Sequence, residues 1–130
     1  MSKNIGNTIY DRSINYYETD QMGIVHHSNY IRYFEEARLD MMEQVGLSYA
    51  AMEEHGLIIP VLSVACEYIK PVLFGEKVQI HTRLVKFDGI KMQFVYEIYC
   101  EGELRTKGES RHCFLDKEMK PVRICLLYTS

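Results

Sequence analysis

One segment of this chain has the apolar period of an α-helix, and most of the sequence after it alternates with the period of a β-strand. The apolar positions of the first segment recur at steps of four and three residues: Tyr30, Phe34, Ala37, Met41 and Val45. This spacing predicts one helix of about 16 residues, with Ser28 or Asn29 as its N-cap and Gly46 at its end. A shorter helix is predicted over 48–54.

The rest of the sequence predicts five β-strands. The first spans residues 9–19, where Tyr, Ile and Thr are frequent. The second spans 57–70, is apolar at both alternations over 57–62, and contains Pro60, which favours an irregular or edge position. Alternation predicts three more strands over 78–84, 92–100 and 104–115, joined by turns at Asp88-Gly89 and Glu101-Gly102.

The order of these elements predicts an α+β domain in which a long antiparallel sheet packs against one helix. A helix of about 16 residues spans ~24 Å, whereas strands of about 10 to 13 residues reach ~33–43 Å. The sheet is therefore long enough to curl around the helix, which is the hotdog fold. A chain of 130 residues fits a single domain over 1–130, with an atypical apolar tail over 121–130.

Composition excludes several classes of protein. The net charge of −3 and the pI of about 5.9 argue against nucleic acid as the main partner. No apolar run approaches the ~20 residues of a membrane span, and no basic segment followed by an apolar one marks a secretory signal. The four cysteines form no Cys-x-x-Cys pair, which favours reduced thiols. We therefore expect a cytoplasmic protein.

Residues 16–30 place a carboxylate, Asp20, in a glycine-containing turn just before the predicted helix. The start of a helix presents unpaired backbone N–H groups and the positive end of the helix dipole. Those groups suit a carbonyl oxygen that becomes negative during acyl transfer. A nearby carboxylate can attack the carbonyl or take a proton from water. The segment therefore predicts an esterase centre.

The run from Tyr16 to Arg38, YYETDQMGIVHHSNYIRYFEEAR, resembles the opening of the 4-hydroxybenzoyl-CoA thioesterase-like hotdog proteins. It is most similar to the acyl-CoA thioesterase group found in bacterial Tol–Pal gene clusters. The resemblance covers residues 9–120, and its specific part is the pattern Asp-x-x-Gly-x-Val-x-His-x-x-Tyr from Asp20 to Tyr30. It implies the hotdog fold, a homodimer or homotetramer with sites at subunit interfaces, and an acyl-CoA substrate. No separate cofactor is implied, because CoA is part of the substrate.

The resemblance also implies roles for single residues. Asp20 matches the catalytic carboxylate, which is the nucleophile or the general base. Tyr16 matches a tyrosine proposed to assist it, and His27 matches a histidine at the helix start. The backbone N–H near His27 matches the donor that polarises the thioester carbonyl. Seven further residues are predicted to bind substrate: Gly23, Val25, His26, Asn29, Tyr30, Pro60 and Val61.

Each of these residues also has a purely structural interpretation. Asp20 suits a turn, Tyr16 suits the core side of a strand, and His27 suits a hydrogen bond at the helix start. The pair His26 and His27 does not predict a metal site, because adjacent histidines point in different directions and no third ligand has suitable spacing. We therefore predict no metal.

Two groups of charged residues are interpreted in the same way. Glu35, Glu36 and Arg38 are expected on a solvated face of the helix. Lys86 and Lys91 flank the Asp88-Gly89 turn and could reach the phosphates of CoA, but a solvated hairpin tip is the favoured explanation for them.

Three functions follow from the sequence. The leading hypothesis is hydrolysis of an acyl-CoA thioester to a free acid and CoA. The second is a dehydratase or hydratase on the same fold, which would form an enoyl or hydroxyacyl product without releasing thiol. The third is a non-catalytic module that binds acyl-CoA or acyl-carrier protein and does not need the Asp20 carboxylate. The doubly apolar segment 57–62 and exposed sheet edges predict at least a dimer.

Overall fold

The computed structural model describes residues 7–123, and the end of the predicted tail, 124–130, lies outside the described residues. The elements run in the order β1 (Asn7–Ser13), a 3-10 turn (Tyr16–Glu18), α1 (Ser28–Gln44), α2 (Tyr49–Glu54), β2 (Val61–Tyr68), β3 (Lys77–Phe87), β4 (Lys91–Cys100) and β5 (Glu103–Cys113). The predicted α+β architecture, one main helix against five strands, is confirmed.

The five strands form one antiparallel sheet in the order β1-β3-β4-β5-β2. The predicted hairpins join β3 to β4 and β4 to β5. β2 does not pair with β3, its neighbour in sequence, but crosses to the far side of the sheet and pairs with β5. As a result β2 forms one edge of the sheet and β1 forms the other, so Pro60 precedes an edge strand, as predicted.

The core lies between α1 and the concave face of the sheet. The helix buries Tyr33, Phe34, Ala37 and Met41, each at most 2% exposed. Phe34 stacks on Tyr96 of β4 with ring centres 4.6 Å apart. The predicted apolar face of the helix is therefore the face that contacts the sheet.

Two strands are shorter than predicted. The first ends at Ser13 instead of residue 19 because the chain turns into the 3-10 segment, where the buried carboxylate of Glu18 accepts the N–H of Asn15 at 2.9 Å. The second begins at Val61 instead of residue 57, because Pro60 has no N–H to donate to a ladder. Upstream of it, Ile58 forms only an isolated bridge.

The helices agree closely with prediction. α1 starts at Ser28 with His27 as its N-cap, one residue earlier than expected. It ends before Gly46, whose φ of +87° reverses the chain direction. Ser48 caps α2 by accepting the N–H of Ala51 at 3.1 Å. Two residues of the predicted solvated face differ from prediction. Arg38 is only 6% exposed, and Glu36 is half-buried and paired with Arg12.

Candidate active site

The loop between the 3-10 turn and α1 folds back on itself as a small hairpin. Thr19 and Val25 form an antiparallel bridge. Inside it, the N–H of Asp20 donates to the carbonyl of Ile24 at 2.8 Å, and the N–H of Gly23 donates to the carbonyl of Asp20 at 3.0 Å. Gly23 has a φ of +78°, a conformation that glycine adopts without strain. The glycine of the motif therefore closes the loop that carries Asp20.

The carboxylate of Asp20 is held by this loop through one oxygen only. Its Oδ1 accepts the N–H of Met22 at 2.8 Å and the N–H of Ile24 at 3.2 Å. Its Oδ2 makes no hydrogen bond to any residue in 7–123, and the side chain is exposed. The structural interpretation of Asp20 as a turn residue is therefore correct, and it leaves one oxygen available for chemistry.

The first turn of α1 leaves one backbone donor open. The N–H of Ser28 donates to Nδ1 of His26 at 3.2 Å, and the N–H groups of Asn29 and Tyr30 donate to the carbonyls of His26 and His27. The N–H of His27 has no acceptor among the described residues. It is the donor at this end of the helix that a bound carbonyl oxygen can use.

The Asp20 loop and the helix start are tied together through the backbone of Glu18. Its carbonyl accepts the N–H of His26 at 2.9 Å and the side-chain amide of Asn29 at 3.0 Å. Because Asp20 follows Glu18 by two residues, the carboxylate and the first turn of α1 belong to one hydrogen-bonded unit. The sequence predicted the juxtaposition of carboxylate and helix start, and the structure supplies the contacts that maintain it.

An ion network around the buried carboxylate of Glu18 stabilises this unit. Arg12 on β1 contacts Glu18 and Glu36, each at 2.7 Å, and its guanidinium lies 4.5 Å over the ring of Tyr33. Burial alone would raise the pKa of Glu18, but the hydrogen bonds from Arg12 and from the N–H of Asn15 hold that pKa below its ordinary value. Glu18 is therefore a buried anion. Sequence reasoning missed this network, because its members lie on separate elements.

Tyr16 does not lie on a strand, contrary to prediction. It sits in the 3-10 turn, is 66% exposed, and packs the edge of its ring against Phe74 at 5.5 Å. The segment that contains Phe74, residues 72–74, anchors the Asp20 loop. The N–H of Phe74 donates to the carbonyl of Gly23, and the N–H of Val25 donates to the carbonyl of Val72. Val25 itself is buried in the core.

The side chains of His26 and His27 stack with ring centres 4.3 Å apart, so they do not point in different directions as predicted. The helical backbone angles of His27 (φ −57°, ψ −27°) bring neighbouring side chains closer together than a strand would. Both rings are exposed. Within residues 7–123 no group of three His, Cys, Asp or Glu side chains is placed to hold a metal ion.

The remaining predicted residues are distributed from the start of α1 to the start of the edge strand β2. At the end near His27, the hydroxyl of Tyr30 accepts the N–H of Val72 at 3.2 Å, and Tyr68 packs against the Tyr30 ring at 5.0 Å. At the other end, Val61 lines a cavity of about 90 Å³, and Pro60 is half-buried just before it.

Lys86 and Lys91 lie on β3 and β4 beside the Asp88-Gly89 turn, as predicted, and both are exposed. Together with Arg111 they line a separate cavity of about 720 Å³.

Comparison with known proteins identifies the family. The sequence from residue 14 to residue 124 matches the thioesterase-like superfamily. This chain belongs to that superfamily. The matched range includes the Asp20 loop, the whole of α1 and strands β2 to β5, so the predicted relationship to hotdog thioesterases is confirmed. Association with Tol–Pal gene clusters stays a prediction.

Relatives within the superfamily are similar over most of their length. A Bacillus subtilis (strain 168) protein, provisionally named acyl-CoA thioesterase YneP, is 39% identical over 112 residues, which cover 85% of this chain and 81% of that protein. The acyl-CoA thioester hydrolase YbgC of Escherichia coli O157:H7 is 28% identical, over 82% of this chain and 81% of that protein.

A solved structure agrees with the sequence relatives. The DHNA-CoA thioesterase of Staphylococcus aureus is 38% identical, with a TM-score of 0.84 over 90% of this chain and 80% of that one. The predicted hotdog fold is therefore confirmed. In the part of the chain that the structure describes, no helix is long and apolar enough to cross a membrane.

Proposed function

We propose that this chain hydrolyses an acyl-CoA thioester to a free acid and CoA. The observation that carries the proposal is that the available oxygen of Asp20 and the open N–H of His27 belong to one hydrogen-bonded unit at the start of α1. The names of the relatives, acyl-CoA thioesterase, acyl-CoA thioester hydrolase and DHNA-CoA thioesterase, support acyl-CoA as the substrate class.

In the proposed reaction, the thioester carbonyl oxygen accepts the N–H of His27 at the positive end of the α1 dipole. Asp20 then acts as nucleophile or as general base. As a base, it takes a proton from water while the water oxygen bonds to the carbonyl carbon. The carbon–sulfur bond breaks, the thiol of CoA leaves with a proton, and the acid is released. As a nucleophile, Asp20 bonds to the carbonyl carbon while the carbon–sulfur bond breaks and CoA leaves as the thiolate, and water then cleaves the resulting anhydride to release the acid and restore the Asp20 carboxylate.

The other predicted residues have supporting roles in this proposal. The exposed imidazole of His27 orients the carbonyl or assists proton transfer, and Tyr16 borders the site from the 3-10 turn. His26 holds the N–H of Ser28, so that the His27 N–H is left for the substrate. Gly23 and Asn29 maintain the loop, and the cavity beside Val61 receives the end of the acyl group. We propose no metal and no separate cofactor, because CoA enters the reaction as part of the substrate.

We propose that the site is completed in a homodimer or homotetramer. β2 is an edge strand, and Val61, Leu62, Val64 and Tyr68 on it are each between 41% and 52% exposed. An apolar edge of this kind favours pairing with another strand. Pairing of two β2 strands would cover Val61 and Val64, which line the cavity beside α1 and are half-exposed in a single chain. An acyl-carrier protein remains an alternative carrier of the acyl group.

The test is steady-state hydrolysis of a panel of acyl-CoAs by the wild type and by Asp20→Asn, with Asp11→Asn as a matched control. Asp11 is exposed on β1, away from the loop. We expect Asp20→Asn to lower kcat by about 10²–10⁴, the range of general-base assistance, and Asp11→Asn to change it little.

Three results would contradict the proposal. Full activity in a folded Asp20→Asn variant would remove Asp20 from the mechanism. Tight acyl-CoA binding without turnover by the wild type would favour the binding module. Formation of an enoyl product without free thiol would favour the dehydratase.

A further inference from the structure

Arg38 is a buried cation whose partners are weak. It lies on the third turn of α1 and is 6% exposed. Its guanidinium contacts Sδ of Met42 at 3.8 Å and interacts with the hydroxyl of Tyr96. The nearest carboxylate is that of Glu35 at 3.9 Å, which is 60% exposed. A guanidinium carries five N–H donors, so most of the hydrogen-bonding capacity of Arg38 is unused. A buried charge in this state is costly unless something else pairs with it.

A chain of three buried polar side chains lies beside Arg38. The hydroxyl of Tyr96 and Oγ of Ser110 are 2.6 Å apart, and Oγ of Ser110 is 2.7 Å from Nε2 of His112. Nδ1 of His112 faces the backbone of Pro60 but has no hydrogen-bond partner among residues 7–123. Burial, together with the charge of Arg38, lowers the pKa of His112 to about 4, so this imidazole is neutral at pH 7.

These polar groups and Arg38 border the same small cavity. The cavity of about 90 Å³ is lined on its apolar sides by Ile31, Phe34, Val61 and Val64, and by the polar residues Glu35, Arg38, Tyr96, Ser110 and His112. Arg38 also borders a second cavity of about 500 Å³ between α1 and α2. The first cavity therefore combines apolar walls with one concentrated group of hydrogen-bonding atoms. At about 90 Å³ it can receive the end of an acyl group and not a whole ligand.

The position of this cavity relates it to the proposed active site. Arg38 follows Ser28 by ten residues on one helix, a rise of ~15 Å at ~1.5 Å per residue. Helical side chains lean back toward the N-terminus, so the guanidinium lies closer to the helix start than its own Cα. An acyl group whose carbonyl sits at the His27 N–H would extend along α1 past Ile31 and Phe34 and end near Arg38.

We propose that Arg38 is a specificity-determining residue, which binds an oxygen substituent at the end of the acyl group that is remote from the thioester. The proposal rests on the proposed thioesterase function and names the acyl class: a ring or chain that carries a hydroxyl or carboxylate oxygen. Such an oxygen accepts N–H bonds from Arg38, and the Tyr96–Ser110–His112 chain can supply or receive one more hydrogen bond, because either hydroxyl can act as the donor. A plain alkyl or phenyl end would place no acceptor beside the N–H groups of Arg38 that face the cavity.

The experiment compares acyl-CoAs that differ only in this oxygen. The pairs are phenylacetyl-CoA with 4-hydroxyphenylacetyl-CoA, and hexanoyl-CoA with its 6-hydroxy and 6-carboxylate derivatives. For the wild type we expect kcat/KM to favour the oxygenated member by about ten- to a hundredfold, as a hydrogen bond to a charged group allows. The hydroxyl and carboxylate arms identify which oxygen the pocket prefers.

The variant Arg38→Met, which keeps an unbranched apolar stem but not the charge, should reduce this ratio to within about threefold, because the ratio depends on hydrogen bonds donated by the guanidinium. Arg32→Met is the matched control, since Arg32 is an exposed arginine on the same helix, and its ratio should equal that of the wild type. If Arg38→Met does not fold, Arg38→Gln, which is polar but uncharged, decides: a ratio for the 6-carboxylate derivative equal to that of the wild type would contradict the proposal.

The outcomes separate the two proposals. Failure of the wild type to release CoA from any member of the panel contradicts the proposed function. Release from both members of each pair at equal rates contradicts only the role of Arg38. Dissociation of Arg38→Met into monomers, with the ratio unchanged at saturating protein, would assign Arg38 to a subunit interface and overturn the inference.

Discussion

The side-chain amide of Asn29 donates a hydrogen bond to the backbone carbonyl of Glu18 across 3.0 Å. This contact joins the first turn of α1 to the segment that leads into Asp20. The same carbonyl accepts the N–H of His26 at 2.9 Å, and the carboxylate of Glu18 is anchored on Arg12. Asn29 therefore acts as a positioning residue, which holds the loop and the helix start at a constant separation.

Substitution of Asn29 by Ala should lower kcat more than it affects folding. The loss of such a hydrogen bond costs about 1 kcal/mol. If this free energy is lost from the transition state, the rate decreases about three- to tenfold. Steady-state kinetics with any accepted acyl-CoA measures the effect. The control is Gln44→Ala, which removes an exposed hydrogen bond to Asp40 at the other end of α1. An unchanged kcat in Asn29→Ala would show that the contact does not position the loop.

Replacement of Gly108 by Ala should destabilise the fold. A Cβ at residue 108 would overlap the Phe34 ring and would lie 3.1 Å from the carbonyl oxygen of Ala65. The ring cannot move freely because it is stacked on Tyr96. We expect the free energy of unfolding to fall by about 1–3 kcal/mol, the cost of overpacking a core. Chemical denaturation measures this loss. In a Phe34→Leu background the loss should be smaller, and equal losses in both backgrounds would contradict the assigned contact.

The buried imidazole of His112 should make stability depend on pH. Its pKa is lowered from 6.5 to about 4 by burial, with a smaller contribution from the charge of Arg38. A lowered pKa means that the unfolded chain binds the proton more readily than the folded one. The free energy of unfolding is therefore unaffected by protonation of His112 above pH 6.5 and decreases as the pH falls toward 4, by up to about 1.4 kcal/mol per pH unit.

Denaturation at several pH values between 4 and 7 measures this slope. His112→Asn, which keeps a polar group that does not titrate, should remove this pH dependence. His55→Asn, which replaces an exposed histidine, should retain it. The lowered pKa of Glu18 affects stability only below its ordinary value of 4.5, so the two contributions occupy different pH ranges. The same pH dependence in His112→Asn and in the wild type would contradict the assignment.

A charge placed on the edge strand β2 should weaken subunit association. Leu62 is 52% exposed there, whereas Ile9 is 56% exposed on β1 at the opposite edge. We expect the wild type to sediment as a dimer or tetramer at micromolar concentration. Leu62→Lys should shift the protein toward monomer, because a charge on an edge strand opposes its pairing with another strand. Ile9→Lys should match the wild type. A monomeric wild type would contradict a site shared between subunits.

Most elements of this fold could be predicted from local patterns. The steps of three and four from Tyr30 to Val45 mark the face of α1 that is buried, and the alternation over 92–100 marks the buried face of β4. The hairpin at Asp88-Gly89 follows from turn chemistry. The end of β1 could not be predicted, because the residues over 14–19 suit a strand by composition, whereas the buried contact between Glu18 and Arg12 favours a turn.

The sequence by itself determined the α+β class, the main helix, and the motif that joins Asp20 to the helix start, because these depend on residues close together in the chain. Only the tertiary structure decided that β2 crosses to the sheet edge beside β5, that the N–H of His27 is the donor left open, and that Arg38, Ser110 and His112 meet in one buried cluster. The physical reason is that burial and pairing depend on elements far apart in sequence. A charged residue such as Arg38 has the same local pattern whether it faces water or a closed pocket.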